Sequence, residues 1–127
     1  IAHNPNVCLS FFRPVLERQV IIKGKASKIA ANISDGYFES RPEGSKLGAI
    51  VSEQSRPIAN RAVLEERLKT LETTYFGKEI TRPQHWGGYA VAPKVMEFWQ
   101  GRPNRLHDRL QYTLQENLEW TIQRLQP

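Results

Sequence analysis

Apolar positions along the chain recur with two different periods, and the switches between them mark the predicted elements. From Arg18 to Ala26, Val20, Ile22, Gly24 and Ala26 alternate with Gln19, Ile21, Lys23 and Lys25, the two-residue period of a half-buried strand. The run Val7 to Phe12, closed by Arg13-Pro14, reads as a strand before it. Helical spacing then takes over. Asn32 or Ser34 is placed to cap a helix carrying Ile33, Tyr37 and Phe38, which must end near Arg41 because Pro42 disfavours helical geometry in the residue before it. Ser45 to Val51 forms a second short helical stretch. The clearest helix is Asn60 to Phe76, where Leu64, Leu68, Leu71 and Tyr75 recur at i, i+4, i+7 and i+11, and Gly77 follows as the stop.

Beyond a polar linker from Lys78 to His85 and the turn Trp86-Gly87-Gly88, the two-residue period returns. Tyr89 to Ala92, Val95 to Gln100, His107 to Leu114 and Trp120 to Leu125 read as strands, separated by Pro93, by Gly101-Arg102-Pro103-Asn104 and by Gln115-Glu116-Asn117. Strands, then helices, then strands predict an α+β domain over 1–127, with an antiparallel meander in 80–127 and helices outside it.

Composition narrows the class. The chain is 39% apolar and 24% charged, which suits one folded domain rather than a disordered chain. No apolar run approaches the roughly 20 residues of a membrane-crossing helix. The single cysteine, Cys8, has no internal disulfide partner, which fits a reducing, cytoplasmic setting. Net charge is +5, with the basic excess at the two ends of the chain. Were those ends to lie together, they would suit an anionic partner, although a solvated basic face accounts for the charge equally well. Lysines are few in 80–127 and the arginines gather at one loop, so a nucleic-acid-binding barrel is not expected. His3, His85 and His107 lack a metal-ligand spacing, and no metal site is expected.

Two constellations could carry chemistry. If the segment ending Arg105-Leu106-His107-Asp108-Arg109 is extended, Arg105, His107 and Arg109 share one face, a row suited to gripping an anion or stacking on a flat ring. The alternative is that Asp108 neutralises the arginines on an exposed turn. On the first helix, Tyr37 and Arg41 are four apart, and Ser45 follows just past the Pro42 break near a new helix N-terminus. Phenol, guanidinium and hydroxyl would make a phosphate clamp, while Tyr37 by itself equally suits a core or rim position. Gln19, Gln54 and Ser55 could bind a heterocycle or cap backbone, and Trp99 could line a cofactor or fill a core.

The order of these pieces resembles the pyridoxine/pyridoxamine 5′-phosphate oxidase family. The resemblance runs through Asn4-Pro5-Asn6-Val7, Glu17-Arg18-Gln19-Val20, Tyr37-Phe38-x-Ser40-Arg41-Pro42-x-x-Ser45 and Val51-Ser52-x-Gln54-Ser55. It continues through Trp86-Gly87-Gly88-Tyr89, Glu97-Phe98-Trp99-Gln100-Gly101, Arg105-Leu106-His107-Asp108-Arg109 and Arg124-Leu125-x-Pro127.

Membership would imply a flavin mononucleotide (FMN) enzyme on a split β-barrel with Greek-key-like antiparallel strands, working as a homodimer with flavin at the interface. The 80–127 meander would contribute to that dimer and to the active site. The implied reaction oxidises pyridoxamine or pyridoxine 5′-phosphate to pyridoxal 5′-phosphate with O2 as acceptor. By position, Tyr37, Arg41 and Ser45 would hold the substrate phosphate, and Gln19, Gln54, Ser55, Trp99 and Arg109 would contact FMN. Arg105 and His107, as the catalytic pair, would lie over the vitamer ring with Leu106 lining the same pocket. The family's upstream Arg…Leu-Lys type motif has no counterpart here, so the N-terminal part of the family pattern and the first barrel strands are expected to be absent. On that basis a non-catalytic binder of flavin or vitamer phosphate is the alternative.

Overall fold

A computed structural model describes residues 1–127. The chain forms two compact units, one made of Ile1–Ser27 with Tyr89–Pro127 and the other of Lys28–Gly88.

The first unit is a five-stranded sheet: β1 (Asn6–Arg13), β2 (Arg18–Lys28), β3 (Tyr89–Gln100), β4 (Asp108–Leu114) and β5 (Trp120–Leu125). Strand order follows the chain, β1-β2-β3-β4-β5, so it is a meander without the Greek-key crossover expected from the resemblance. Its two ends come from the two basic ends of the chain, which therefore do share one unit. A 3-10 turn at Pro14–Leu16 and left-handed Glu17 (φ 48°) reverse the chain between β1 and β2, pairing Arg13 with Arg18 and Asn6 with Lys25. Pro14 starts that turn because its fixed φ suits the first helical position and its missing N–H is not needed there.

Pro93 does not divide β3 as its sequence position suggested: Tyr89 to Gln100 is one strand. The β3–β4 ladder pairs Val95 with Thr113 through Gln100 with Asp108 and so begins past Pro93, where the absent proline N–H removes no bond from it. β4 and β5 pair from Arg109 with Leu125 to Leu114 with Trp120. On the other side, β2 and β3 approach so closely that a Cβ at Gly24 would stand 2.1 Å from the Ala92 carbonyl oxygen. The opposite end of the sheet is tied by Gly101, whose N–H donates to the Glu17 carbonyl at 2.7 Å. Gln100 reinforces this tie, donating from Nε2 to the Leu16 carbonyl at 3.1 Å while its Oε1 accepts from Arg18 Nε at 2.7 Å.

The second unit holds three helices: α1 (Ala31–Glu39), α2 (Glu43–Val51) and α3 (Arg61–Tyr75). Neither Asn32 nor Ser34 caps α1. The helix begins earlier, at Ala31, and Ser34 is buried inside it with its N–H on the Ala30 carbonyl. Pro42 breaks the chain between α1 and α2, standing just before the second helix with φ −56°. Asn60 caps α3, its side-chain oxygen accepting from the Val63 N–H at 3.2 Å, and Gly77 takes φ 68° just past the helix end. Phe38, Leu47 and Ile80 form the core, with Leu68, Leu71, Tyr75 and Trp86 packed on it, so three of the four residues of the predicted α3 stripe face inward. Leu64, the fourth, lies at the exposed margin. Phe38, at 1% exposure, is the most completely enclosed large side chain.

The close approach at Gly24 predicts a stability cost for any side chain there. Gly24→Ala in the full-length protein should destabilise by about 1–3 kcal/mol, because the obstructing atom is backbone and cannot rotate away. Urea denaturation read by circular dichroism checks this, and an unchanged midpoint would mean that β2 and β3 separate without cost.

Candidate functional site

In the helical unit, the sequence-predicted clamp is organised by an aromatic ring that sequence reasoning had assigned only to a turn. The Trp86 indole lies almost parallel to the Tyr37 ring, with centroids 6.1 Å apart and 15° between planes, and meets the Phe38 ring edge-on at 5.2 Å. The Arg41 guanidinium carbon stands 5.1 Å from the centre of the same indole. Tyr37 and Arg41 thus meet one platform, although Arg41 lies past the end of α1 at Glu39 rather than on the helical face the spacing suggested. Tyr37 is a rim residue, 65% exposed.

Arg41 carries the most informative atom of the group: its Nη1 is buried and has no hydrogen-bond partner. A guanidinium N–H removed from water without an acceptor is costly, and an anion offering an oxygen there would relieve that cost. Ser45 sits in the first turn of α2, half-buried, with its own N–H on the Pro42 carbonyl at 2.9 Å. No side chain caps this helix start, so its free amides add to a site suited to phosphate.

Gln54 and Ser55 occupy a tight turn closed by the Arg56 N–H on the Glu53 carbonyl at 3.0 Å. Ser55 has φ 66°, a left-handed value a non-glycine residue adopts only when its surroundings enforce it. Both side chains are exposed, and Ser55 borders a cavity of about 460 Å³ together with Ser52, Ile58, Leu64 and Arg67.

In the sheet unit, Trp99 and Arg109 are direct cross-strand partners on β3 and β4. Arg109 is gripped by Glu97 in a bidentate pair, Nε to Oε1 at 2.8 Å and Nη2 to Oε2 at 3.1 Å, and its Nη1 donates to the Gln126 carbonyl at 2.9 Å. The hydrogen bonds to Glu97 hold the guanidinium pKa above its ordinary value. Three of its five N–H groups are occupied, leaving two for a ligand. Gln19 on β2 is half-buried and donates from its amide to Ser10 Oγ at 3.1 Å.

The expected row of Arg105, His107 and Arg109 on one strand face does not form. β4 begins only at Asp108, and Pro103–Arg105 is a 3-10 turn in which Asn104 (φ 58°) and Arg105 (φ 61°) are both left-handed. Two successive non-glycine residues in that region store strain, of a kind that persists only where neighbouring structure holds it. Arg105 and Leu106 are consequently thrown outward, Leu106 being 71% exposed.

His107 turns back onto Trp99, with ring centroids 4.9 Å apart, and its Nδ1 accepts the Arg102 N–H at 3.1 Å. That bond places the proton of the neutral ring on Nε2, so this nitrogen is the one able to donate to a ligand. Asp108 does neutralise arginines, but they are Arg102, at 2.9 Å, and Arg124, not Arg105. With Glu97 claimed by Arg109 and Asp108 by Arg102 and Arg124, Arg105 takes part in none of these ion pairs.

Residues 1–75 match the family model described as "Pyridoxamine 5'-phosphate oxidase", and residues 86–127 match "Pyridoxine 5'-phosphate oxidase C-terminal dimerisation region". The N-terminal part of the family pattern is therefore present, correcting the expectation that it is absent: lack of one short motif did not mean lack of the region. A pyridoxine/pyridoxamine 5′-phosphate oxidase of Flavobacterium psychrophilum is 67% identical over 127 residues, covering 100% of this chain and 59% of that protein. The chain thus spans about three fifths of the length of this curated relative.

Among solved structures, PhzG from Burkholderia lata 383, in complex with tetrahydrophenazine-1-carboxylic acid, superposes with TM-score 0.86 at 27% identity. That match covers 97% of this chain and 59% of PhzG. A pyridoxamine 5′-phosphate oxidase-related, FMN binding protein from Nostoc punctiforme PCC 73102 shares the fold, with TM-score 0.68 at 12% identity, over 100% of this chain and 66% of that one.

The Asp108 carboxylate gives the site a pH signature. Hydrogen bonds from Arg102 and then Arg124 hold its pKa below the ordinary 3.8. A depressed folded-state pKa contributes stability above the unfolded value that is lost as pH falls through the folded one. Asp108→Asn should therefore destabilise at pH 6, with the difference from wild type shrinking as pH drops below about 3.8. Denaturation midpoints of both proteins across pH 3–6 measure it, and a pH-independent difference would contradict the assignment.

Proposed function

Because this chain belongs to the pyridoxine/pyridoxamine 5′-phosphate oxidase family, we propose that it serves the FMN-dependent oxidation of pyridoxamine or pyridoxine 5′-phosphate to pyridoxal 5′-phosphate, with O2 as electron acceptor. The observation that carries the reading is the buried, unpartnered Arg41 Nη1 over Trp86, beside Tyr37 and the uncapped start of α2. An anion would pair this N–H, and a phosphate monoester supplies one.

The cofactor is FMN, which when bound supplies a two-electron acceptor for the substrate. The donor set suits its polar ring edge and flat face. On the sheet unit the Gln19 amide and the two uncommitted N–H groups of Arg109 offer hydrogen bonds and Trp99 an aromatic surface; on the helical unit, taken by itself, Gln54 and Ser55 offer hydrogen bonds from their exposed turn. Glu97 and Gln126 hold Arg109 in one orientation, so its remaining donors are preorganised.

Tyr37, Arg41 and Ser45 bind the substrate phosphate. Arg105, projecting from its strained turn and without a carboxylate to quench it, orients the vitamer ring. His107 donates from Nε2 to a ring substituent, and Leu106 contributes an apolar wall. For the amine, water and O2 are consumed and ammonia and hydrogen peroxide released with the aldehyde; for the alcohol, O2 is consumed and hydrogen peroxide released. The protein acts as a homodimer through 86–127, the region matched to the family's dimerisation segment. The lone, unpaired Cys8 supports a cytoplasmic setting. The second reading, a non-catalytic binder of flavin or vitamer phosphate, is separated from this one by turnover.

The test uses the full-length protein loaded with FMN. Wild type should show flavin absorbance near about 450 nm and turn over both phosphorylated vitamers. Arg105→Ala should lower kcat by roughly a hundredfold with flavin retained, whereas Arg41→Ala should chiefly raise KM, by roughly tenfold or more. Flavin binding without turnover of either vitamer would favour the binder, and unchanged kcat in Arg105→Ala would remove Arg105 from the reaction.

A further inference from the structure

The clamp stands on an indole, and the indole is itself held by a residue to which no role has yet been given. Arg82 lies in the polar linker before Trp86, and its side chain is only 14% exposed. Its Nε donates to Asp35 Oδ1 at 2.6 Å, and its Nη1 donates to the Trp86 carbonyl, with a longer contact to the Pro83 carbonyl at 3.4 Å. Asp35 belongs to α1, the helix that also carries Tyr37. One planar guanidinium therefore bridges the helix bearing the clamp and the backbone bearing the platform.

The rest of the Trp86 segment is equally constrained. The Trp86 N–H donates to the Pro83 carbonyl at 3.0 Å, and the Gly88 carbonyl accepts from the Ile29 N–H at 3.2 Å, just ahead of α1. A Cβ at Gly87 would press on Ser34 Oγ at 3.3 Å, and one at Gly88 on Ile29 Cδ1 at 2.8 Å. The two glycines thus lie close against Ser34 of α1 and Ile29 just ahead of it.

We propose that Arg82, locked to Asp35, is a positioning residue for phosphate recognition: it fixes the Trp86 backbone so that the indole presents Tyr37 and Arg41 to the substrate phosphate. The inference rests on the phosphate-clamp reading above. Arg82 is assigned no contact with substrate or cofactor in this scheme: its Nε and Nη1 are committed to Asp35 and two carbonyls within the helical unit. Its influence is geometric. Without it, the carbonyl of Trp86 loses its donor and Asp35 its partner, and the indole is free to tilt away from the stacked phenol and guanidinium. Lysine would not substitute, because a single ammonium lacks the planar fork that spans carboxylate and carbonyl together.

Steady-state kinetics and calorimetry on the FMN-loaded full-length protein test the proposal. Arg82→Gln should raise KM for pyridoxamine 5′-phosphate roughly tenfold and weaken pyridoxal 5′-phosphate binding in parallel, with kcat within about twofold of wild type. Since Arg82 acts through the platform that holds Arg41, the double variant Arg82→Gln/Arg41→Ala should bind no more weakly than Arg41→Ala alone. A merely structural role predicts multiplied effects instead.

Unchanged KM in Arg82→Gln, or fully multiplicative losses in the double variant, would overturn the role of Arg82 while leaving the clamp standing. Unchanged KM in Arg41→Ala would overturn the clamp itself and the proposal with it. Should Arg82→Gln fail to fold, Asp35→Asn replaces it, keeping Arg82 and its carbonyl bonds. That variant should raise KM about threefold with kcat retained, and no change would count against the proposal.

Discussion

The contact at Gly24 makes it possible for one sheet to be built from the two ends of the chain. β2 and β3 are neighbours in the sheet, yet sixty residues separate them in sequence, and these form the helical unit. Closing so long a connection is less costly than its length suggests, because loop-closure entropy grows only logarithmically, by about 0.6 kcal/mol for each doubling. What the junction does require is a close backbone approach, and only a residue without a Cβ permits it where the Ala92 carbonyl faces position 24. At the other end of the sheet, Gly101 and Gln100 tie β3 to the β1–β2 turn through Glu17 and Leu16, so the arrangement is pinned at both ends.

The arginines show how tertiary partners assign chemistry to one residue type. Arg109 is claimed by Glu97 and the Gln126 carbonyl, and Arg82 by Asp35 and the Trp86 carbonyl. Arg102 and Arg124 share Asp108. Arg41 has an aromatic face beneath it and a buried nitrogen with no acceptor, and Arg105 projects outward from a left-handed turn. The paired arginines are committed within their own units, whereas Arg41 and Arg105 take part in none of these ion pairs.

Rigidity is concentrated where these groups emerge. Trp86 is fixed by hydrogen bonds on either side of its backbone and followed by two glycines that lie close against Ser34 and Ile29, and His107 is held by an accepted N–H and the Trp99 ring. Trp86 and His107 therefore each hold a geometry set by hydrogen bonds from neighbouring residues.

Much of this was determined by the sequence alone. The α3 stripe, the Asn60 cap, the Gly77 stop, the Pro42 break and the strands of β1, β2, β4 and β5 follow from periodicity and turn chemistry, which act over a few residues. The ordered motifs likewise identified the family, whereas the single helical face expected for Tyr37 and Arg41 does not form, because α1 ends at Glu39 and Arg41 lies in the bend before Pro42. Tertiary structure decided the rest. It made β3 continuous through Pro93, because the β4 ladder starts beyond that residue. It began α1 ahead of Asn32 and broke the anticipated row of Arg105, His107 and Arg109 through consecutive left-handed residues. It also chose which arginines are paired and raised Trp86 and Arg82 from a turn and a linker to the platform and its anchor. Local pattern encodes which face a residue takes, whereas a partner 47 positions away, such as Asp35 for Arg82, leaves no periodic trace and becomes visible only when the chain has folded.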